Sequence, residues 1–548
     1  GELMSRPQHE IKAQDLANAT WSIGRLQCTI DEEVLEKLMV SSVEMIGRFN
    51  QQELSLTLWG LARMQDYRLD RHLYSQVLGA VEHKCHTFNS QALSTSLWAI
   101  GKIGVIPSPD LLLSLTEQVS AKIRHFTPQG LSNVLWAMTS LSYHPGPAVL
   151  RSISTEVSRK SAEISSKNLA SILKSLALLH YLPDDHVMQR LTESFLREVE
   201  VAVPQSTCLF LWSCASLGYA PQTDVLDTLN RRVRDTLDQY YTIHLANTLW
   251  SYSTLSYDPG EAFLATLTDR FVAHLQEATP QEIANIIWAI ASLGYALRER
   301  HMAPIWAELE RRIAADAFSG QELTNIVWAL SVMGQFHGPQ FALLWQASLD
   351  KVADVDQPGK KLAQLFHSNL LLQAQSDQEE KEEEEEEQDA KKGVKSHRIH
   401  HDHRWALPEG IRELAEQSWH AIVLRETIFS RFHGQVSFSL SRLKIDHEVE
   451  RLTQNRYMSV DILLPEHNLV LEVDGPSHFA MNTLRTNGST LARNMLLKHW
   501  SYEVVCIPYF GWPSDEQAQD KFLSKLLSKH IEVVKKGQQK KKKLVPES

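Results

Sequence analysis

A tryptophan returns through this chain at near-constant spacing, and no other feature restricts the fold so tightly. With small departures, the pattern L-[AST]-x-x-[LIV]-W recurs around Trp21, Trp59, Trp98, Trp136, Trp212, Trp250, Trp288 and Trp328, at intervals of 38, 39, 38, 76, 38, 38 and 40 residues. The double interval has Lys174 at its midpoint, within LASILKSLALLHYLP, a copy that lacks its tryptophan. A decayed tenth copy, LAQLFHSNLL, carries His367 in the same slot, so ten units run over residues 11–373. A fixed period of this length marks stacked supersecondary units, none of which can bury its apolar face alone.

One unit shows what the period encodes. In FTPQGLSNVLWAMTSLSYHPGPAVLRSISTEVSRKSAEIS, Thr127 before Pro128 is a helix start, with the threonine as cap and the proline at the first helical position. Leu131, Val134, Leu135, Met138 and Leu141 follow at spacings of three and four and form one apolar stripe. His144-Pro145-Gly146-Pro147 turns the chain, and a second amphipathic segment runs from about Ala148 to Ile164. Each unit is a helical hairpin. Hairpins of this kind stack into a solenoid of either hand, with a continuous core and a concave inner surface.

The units LANTLWSYSTLSYDP, IANIIWAIASLGY and LSNVLWAMTSLSYHP resemble the octotricopeptide repeat of algal and apicomplexan organellar RNA-binding proteins, over about two thirds of the chain. That likeness implies an α-solenoid that holds RNA. The tryptophans could stack on bases, but one aromatic at one helical position is more often a packing residue between repeats, with an N–H that needs a partner. The slot three residues before each tryptophan is polar and variable: Asn18, Asn133, Asn247, Asn285 and Asn325 in five units, and Leu56, Thr95, Ser171, Leu209 and Gln364 in the others. A variable slot on a fixed scaffold suits a modular base reader. The same amides could equally bridge neighbouring helices inside the stack, and the residues leave both readings open.

Charge must be apportioned before it bears on partners. The formal net charge is −11, but residues 376–390 alone hold ten acids against Lys381, and without that block the chain carries −2. Lys535, Lys536 and Lys540 to Lys543 add six positive charges in the tail, which leaves the folded remainder near −8. The chain therefore lacks the global field of a nonspecific polyanion binder, and any RNA contact must come from local patches. Five cysteines, widely spaced and without a C-x-x-C pair, argue against a disulfide scaffold or structural zinc and fit a reducing compartment. No run of about 20 apolar residues offers a membrane span, and Gly1-Glu2-Leu3 opens without a signal pattern.

Residues 374–404 read as a flexible linker, first acidic and then KKGVKSHRIHHDHR. His397, His400, His401, Asp402 and His403 could ligate a metal there; a solvated basic strip is the plainer reading, and no metal is expected. Residues 405–530 return to structure with a helical segment near Pro408 to Phe432, strand-like runs QVSFSLS, SVDILLP, LVLEVDG and YEVVCIPYF, and a helix from about Thr490 to His499. Residues 531–548 form a lysine-rich tail. The fold class expected is mainly α: a solenoid of about ten helical hairpins followed by a small α/β module.

SVDILLPEHNLVLEVDGPSHF with NGSTLARNMLLKHWSYEVVCIPYFGW closely resembles the RAP domain of organellar RNA proteins, over about Tyr457 to Trp512. The resemblance implies a restriction-endonuclease-like fold behind helical repeats. A PD-(D/E)XK nuclease holds a divalent ion on strand carboxylates and usually orients water with a lysine. Asp461 and Glu472 stand at the two acidic positions, but Asp474 replaces the lysine. Cleavage is therefore not expected, although Asp461, Glu472, Asp474 and His478 would be the catalytic group, with Mg2+ as cofactor, if it occurred. A turn at Asp474-Gly475-Pro476, with Gly475 at positive φ, is the structural alternative. Between these stands a pocket, joined by Arg493 and Lys498, that binds an RNA end or nucleotide uncut.

The expected function is accordingly an organellar RNA-binding protein that holds ribosomal RNA or one transcript, as a mitochondrial ribosome subunit or as a maturation and stability factor. The expected partners are RNA and ribosomal proteins, with no membrane. A metal-dependent endoribonuclease and a protein-docking scaffold are the alternatives. Mitochondrion is preferred over plastid on resemblance alone.

Overall fold

The computed structural model describes residues 11–27, 30–64, 71–352, 359–390, 405–424 and 430–544. The histidine cluster of residues 397–403 and Cys28 lie outside them, as do the side chains of the lysine-rich tail. The chain divides into two compact units, Gly1–Thr236 and Leu237–Ser548.

The first unit is a run of helical hairpins: α1 (Ala13–Leu26), α2 (Glu32–Met45), α3 (Gln51–Arg63), α4 (Arg71–Lys84), α5 (Ser90–Ile103), α6 (Pro109–Ala121), α7 (Pro128–Ser140), α8 (Pro147–Arg159), α9 (Ser166–Leu178), α10 (Asp185–Arg197), α11 (Pro204–Leu217) and α12 (Thr223–Asp235). Local chemistry sets the starts. Asn50 accepts from Gln52 N and Glu53 N while Glu53 returns a bond to Asn50 N; Thr127 accepts from Gly130 N; and Pro128, Pro147 and Pro204 sit at first helical positions. The odd-numbered helices α1 to α11 pack one on the next. Their apolar stripe is the core, with Leu131, Val134, Leu135 and Met138 all buried.

A second periodic device closes the ends. Lys84 Nζ donates to the carbonyls of Gly47 and Phe49 at 2.7 and 2.8 Å, Lys122 to those of His86 and Phe88 at 2.9 and 2.6 Å, and Lys160 to those of Arg124 and Phe126. Each lysine satisfies carbonyls left over by the short 3-10 turn one repeat earlier, beside a buried phenylalanine.

The second unit continues with α13 (Thr242–Thr254), α14 (Glu261–Ala273), α15 (Pro280–Ser292), α16 (Glu299–Ala314), α17 (Gly320–Val332), α18 (Pro339–Asp350), α19 (Lys360–Ala390), α20 (Glu409–Val423) and α21 (Arg431–Arg442). The α/β module adds β1 (Glu448–Leu452), β2 (Ser459–Leu464), β3 (Leu469–Asp474), α22 (Gly488–His499), β4 (Glu503–Pro508) and α23 (Glu516–Leu544). Helices α13, α15, α17 and α19 pack in series, and α20 packs on α19 as the next member. The sheet runs β1-β2-β3-β4, antiparallel except between β3 and β4. One face of it buries Ile462, Leu464, Leu471, Val473 and Ile507 against Val436 and Leu440 of α21 and Leu523 and Leu527 of α23.

Three expectations need correction. QVSFSLS is helix α21, not a strand: Ser430 caps it, Val436 and Leu440 stand four apart on the buried face, and Ser439 reaches Asp520. The strand is instead Glu448–Leu452, whose glutamates and arginine at a half-exposed edge hid it. Helix α19 continues through the acidic run to Ala390. Glutamate is a good helix former, and extension from a packed helix carries no nucleation cost. Finally, Gly475 has φ −74°, ordinary backbone for any residue.

The α/β module does not hang free. Its loop before α22 seats on two turns of the array: Met481 N donates to Ser256 O at 2.7 Å, and Asn482 pairs with both backbone groups of Asp258 at 2.9 and 2.7 Å. Asp258, 6% exposed, accepts from Tyr295 Oη, Thr483 Oγ1 and Gly260 N, each at 2.9 Å. Arg485 donates to Gly294 O at 2.8 Å and lies 3.7 Å over the Tyr295 ring. Gly488 then brings α22 so close to α15 that a Cβ there would meet Ala291 O at 1.9 Å.

Candidate nucleic-acid interface and acidic cleft

The tryptophans form a ladder along the odd-numbered helices, half-exposed except for Trp328, which is buried. In the first unit, ring centroids are 6.1 Å apart from Trp21 to Trp59, 6.3 Å from Trp59 to Trp98 and 6.2 Å from Trp98 to Trp136, with planes 30–36° apart. Arg25 and Arg63, one turn further on, lie 5.0 and 5.4 Å from the Trp21 and Trp59 rings. In the second unit Trp288 and Trp328 are 6.1 Å apart, Trp328 Nε1 donates to His367 Nδ1 at 3.2 Å, and His367 stacks on Trp419 of α20 at 4.7 Å.

Trp419 was missed as a ladder position although LAEQSW departs from the repeat pattern only at Ser418; the interval of 52 residues from His367 concealed it. Asn133, Asn247, Asn285 and Asn325 are half-buried and Asn18 is exposed, one turn before their tryptophans and on the same stripe. Gln129 Nε2 donates to Asn133 Oδ1 and Gln321 Nε2 to Asn325 Oδ1, both at 2.9 Å, and Gln321 also approaches Gln364 Oε1 at 3.2 Å. The glutamine seven residues before the tryptophan recurs through most units and was legible in the period.

The ladder of the second unit ends at a cleft of about 1350 Å3, whose walls include His367, Trp419, Arg431, His433, Glu450, Asp461, His478 and Arg493. Strands β2 and β3 and helix α22 bring Asp461, Glu472, Asp474 and Arg493 together, since residues two apart on β3 point to one face. Arg493 Nη1 lies 2.9 Å from Glu472 Oε2 and its Nη2 2.6 Å from Asp474 Oδ1. His478 Nδ1 is 3.0 Å from Thr490 Oγ1 and 3.3 Å from Asp474 Oδ1. Asp461 Oδ2 accepts from Val473 N at 2.7 Å. Lys498 is exposed and absent from the cleft wall, five residues along α22 from Arg493 and so about 140° around the helix.

Residues 471–526 match the RAP domain family. The C-terminal module is a RAP domain. Residues 146–335, within the helical array, match the family described as "Tbc2 translation factor, N-terminal domain". No curated protein matches the chain. Among solved structures, "Homology model of the full-length AP-3 complex in an intermediate open conformation" aligns with 68% of this chain and 69% of its own at 14% identity and a TM-score of 0.32, a likeness that carries no argument.

Electrostatics decide what the RAP cleft can do. Burial pushes the Glu472 carboxyl up, against the pull of Arg493. Arg493 keeps its proton firmly: burial opposes its charge, but Glu472 and Asp474 outweigh it. Burial, then Arg493, lowers His478, which is neutral near pH 7. The Cys506 thiol, opposite Glu472 on β4, is pushed up to about 12 by burial and Asp474, so it offers no thiolate. Of the nuclease set, Glu472 and Asp474 are thus tied to an arginine, and the pair Asp461 and Glu472 does not present two free carboxylates. The residues do not fit a Mg2+ nuclease centre. No helix among the described residues is long and apolar enough to cross a membrane.

Proposed function

We propose that this chain is an organellar RNA-binding protein, in which single-stranded RNA lies along the tryptophan stripe and one end of it is held, uncut, in the RAP cleft. The observation that carries this reading is the continuity of the stripe: Trp288, Trp328, His367 and Trp419 lead from the helical array to the cleft wall. Flat aromatic faces accept any base, whereas base-edge reading falls to the amides beside them. The RAP and Tbc2-type matches support a role in organellar RNA or translation. Mitochondrion, with plastid as the alternative, and ribosomal RNA or a single transcript as ligand, belong to the same proposal.

The test is ultraviolet crosslinking of the full chain to single-stranded RNA with mass-spectrometric mapping. Crosslinks are expected on the peptides of His367 and Trp419, and Trp419→Ala is expected to weaken binding by about 1–3 kcal/mol, with Trp419→Phe restoring most of it. Crosslinks confined to the even-numbered helices, or no RNA binding, would overturn the reading. Sedimentation in organelle extract separates the two forms: a heavy particle with ribosomal RNA makes it a ribosome subunit, and a light fraction with few transcripts a maturation factor.

A further inference from the structure

Beside the Arg493 network, three side chains from three elements converge on the cleft wall: His433 from the first turn of α21, Glu450 from the edge strand β1 and Asp461 from β2. One ligand atom from each can be chosen so that all lie within 4.8 Å of one another. His433 Nδ1 is 3.1 Å from Glu450 Oε1, and His433 Nε2 is 3.5 Å from Asp461 Oδ2. The side chains are 12%, 21% and 18% exposed in that order, shielded yet open to the cleft that all three line.

The surroundings ask for a cation. Glu472 is 0% exposed and neither of its carboxylate oxygens is in a hydrogen bond, although Arg493 lies close. Arg493 is already shared between Glu472 and Asp474. Glu450 and Asp461 face each other across His433. Glu450, Asp461 and Asp474 outnumber Arg493 on this side of the cleft, a local field that favours a small cation.

We infer that His433, Glu450 and Asp461 bind one divalent transition-metal ion of the Zn2+ or Mn2+ class, with its remaining coordination positions open to the cleft. One imidazole and two carboxylates form a mixed nitrogen and oxygen set that suits such ions, and three protein ligands leave room for water or a ligand oxygen. Mg2+ and Ca2+ favour shells of oxygen alone. The set shares only Asp461 with the pair expected from the sequence; its other members lie 28 and 11 residues upstream of Asp461 in α21 and β1. The inference goes beyond RNA binding, since metal uptake is read without RNA. The rival is a closed network in which His433 bridges the two carboxylates and no ion enters.

The experiment uses the full chain with His397, His400, His401 and His403 changed to serine, so that the histidine-rich segment takes up no metal. Co2+ is titrated in as a stand-in for Zn2+ and followed by its visible absorption, with Zn2+ and Mg2+ as competitors. One saturable equivalent is expected, displaced by Zn2+ and not by millimolar Mg2+. His433→Ala and Glu450→Gln should each weaken it at least about tenfold, while far-UV circular dichroism without metal stays unchanged. Glu450→Gln keeps the side-chain volume and decides the matter if His433→Ala fails to fold. No saturable uptake by the parent, unchanged uptake in Glu450→Gln, or displacement by Mg2+ as readily as by Zn2+ would overturn the inference.

Discussion

Asp258→Ala tests how the RAP domain is held to the array. The carboxylate is buried and accepts from Tyr295 Oη, Thr483 Oγ1 and Gly260 N. Tyr295 is 9% exposed and loses a largely buried partner, a cost of about 1–3 kcal/mol. Thr483 is exposed and Gly260 half-exposed, so each recovers a water and forfeits only the net value of its bond, about 0.5–1.5 kcal/mol. The sum is about 2–6 kcal/mol, concentrated where Met481 N meets Ser256 O. Urea unfolding gives the total, and hydrogen exchange of the Met481 and Asp258 amides locates it. Asp258→Asn, which keeps one acceptor oxygen, should cost less than half as much. If Asp258→Ala loses under about 0.5 kcal/mol, or the two amides keep their protection, the carboxylate does not organise this contact and the reasoning fails.

Other predictions follow from single contacts. Gly488→Ala drives a Cβ onto Ala291 O and should cost about 1–3 kcal/mol or more, whereas Gly475→Ala meets nothing within 4 Å and should be nearly neutral; equal melting temperatures for the two would count against the close approach of α22 and α15. Arg493→Met leaves Glu472 and Asp474 buried without their cation and should destabilise by about 3–5 kcal/mol, measured by thermal unfolding; a loss of RNA binding at unchanged stability would make Arg493 a ligand contact instead. Glu308 is held down to about 2, first by Arg311, with burial opposing and Arg312 assisting. Its stabilisation is therefore complete above the ordinary carboxylate value of 4.5 and lost as pH falls towards about 2. The stability gap between the parent and Glu308→Gln should shrink over that window, and a gap constant from pH 7 to pH 3 would contradict the assignment.

What could be read from the residues was what depends on neighbours in the chain. The tryptophan period, the cap at Thr127, the apolar stripe from Leu131 to Met138 and strands β2, β3 and β4 each follow from spacings of two to four residues, or from a repeat that copies itself. Asp461, Glu472, Asp474 and His478 were picked out through the resemblance to the RAP and PD-(D/E)XK patterns, and Arg493 joined them as a neighbouring cation; the structure brings all five together from β2, β3, the turn after β3 and α22. Lys498 was included on proximity in sequence, which on a helix does not settle direction. Alternation misled at QVSFSLS, where Val436 and Leu440 satisfy a helix face as well as a strand face, and a charged edge strand gave no apolar signal at Glu448–Leu452.

By itself, then, the sequence determined a hairpin array, because helix periodicity and capping are local, and the likeness of its C-terminal segments to the RAP domain named the module behind it. Only tertiary structure decided that the RAP loop seats on Asp258, 224 residues before Asn482. It alone put Trp419 at the end of the ladder and set His433 and Glu450 beside Asp461 on the wall of one cleft. Such contacts depend on how whole elements pack, and the pairing of one buried carboxylate or ring with a distant partner leaves no periodic trace in the residues around it.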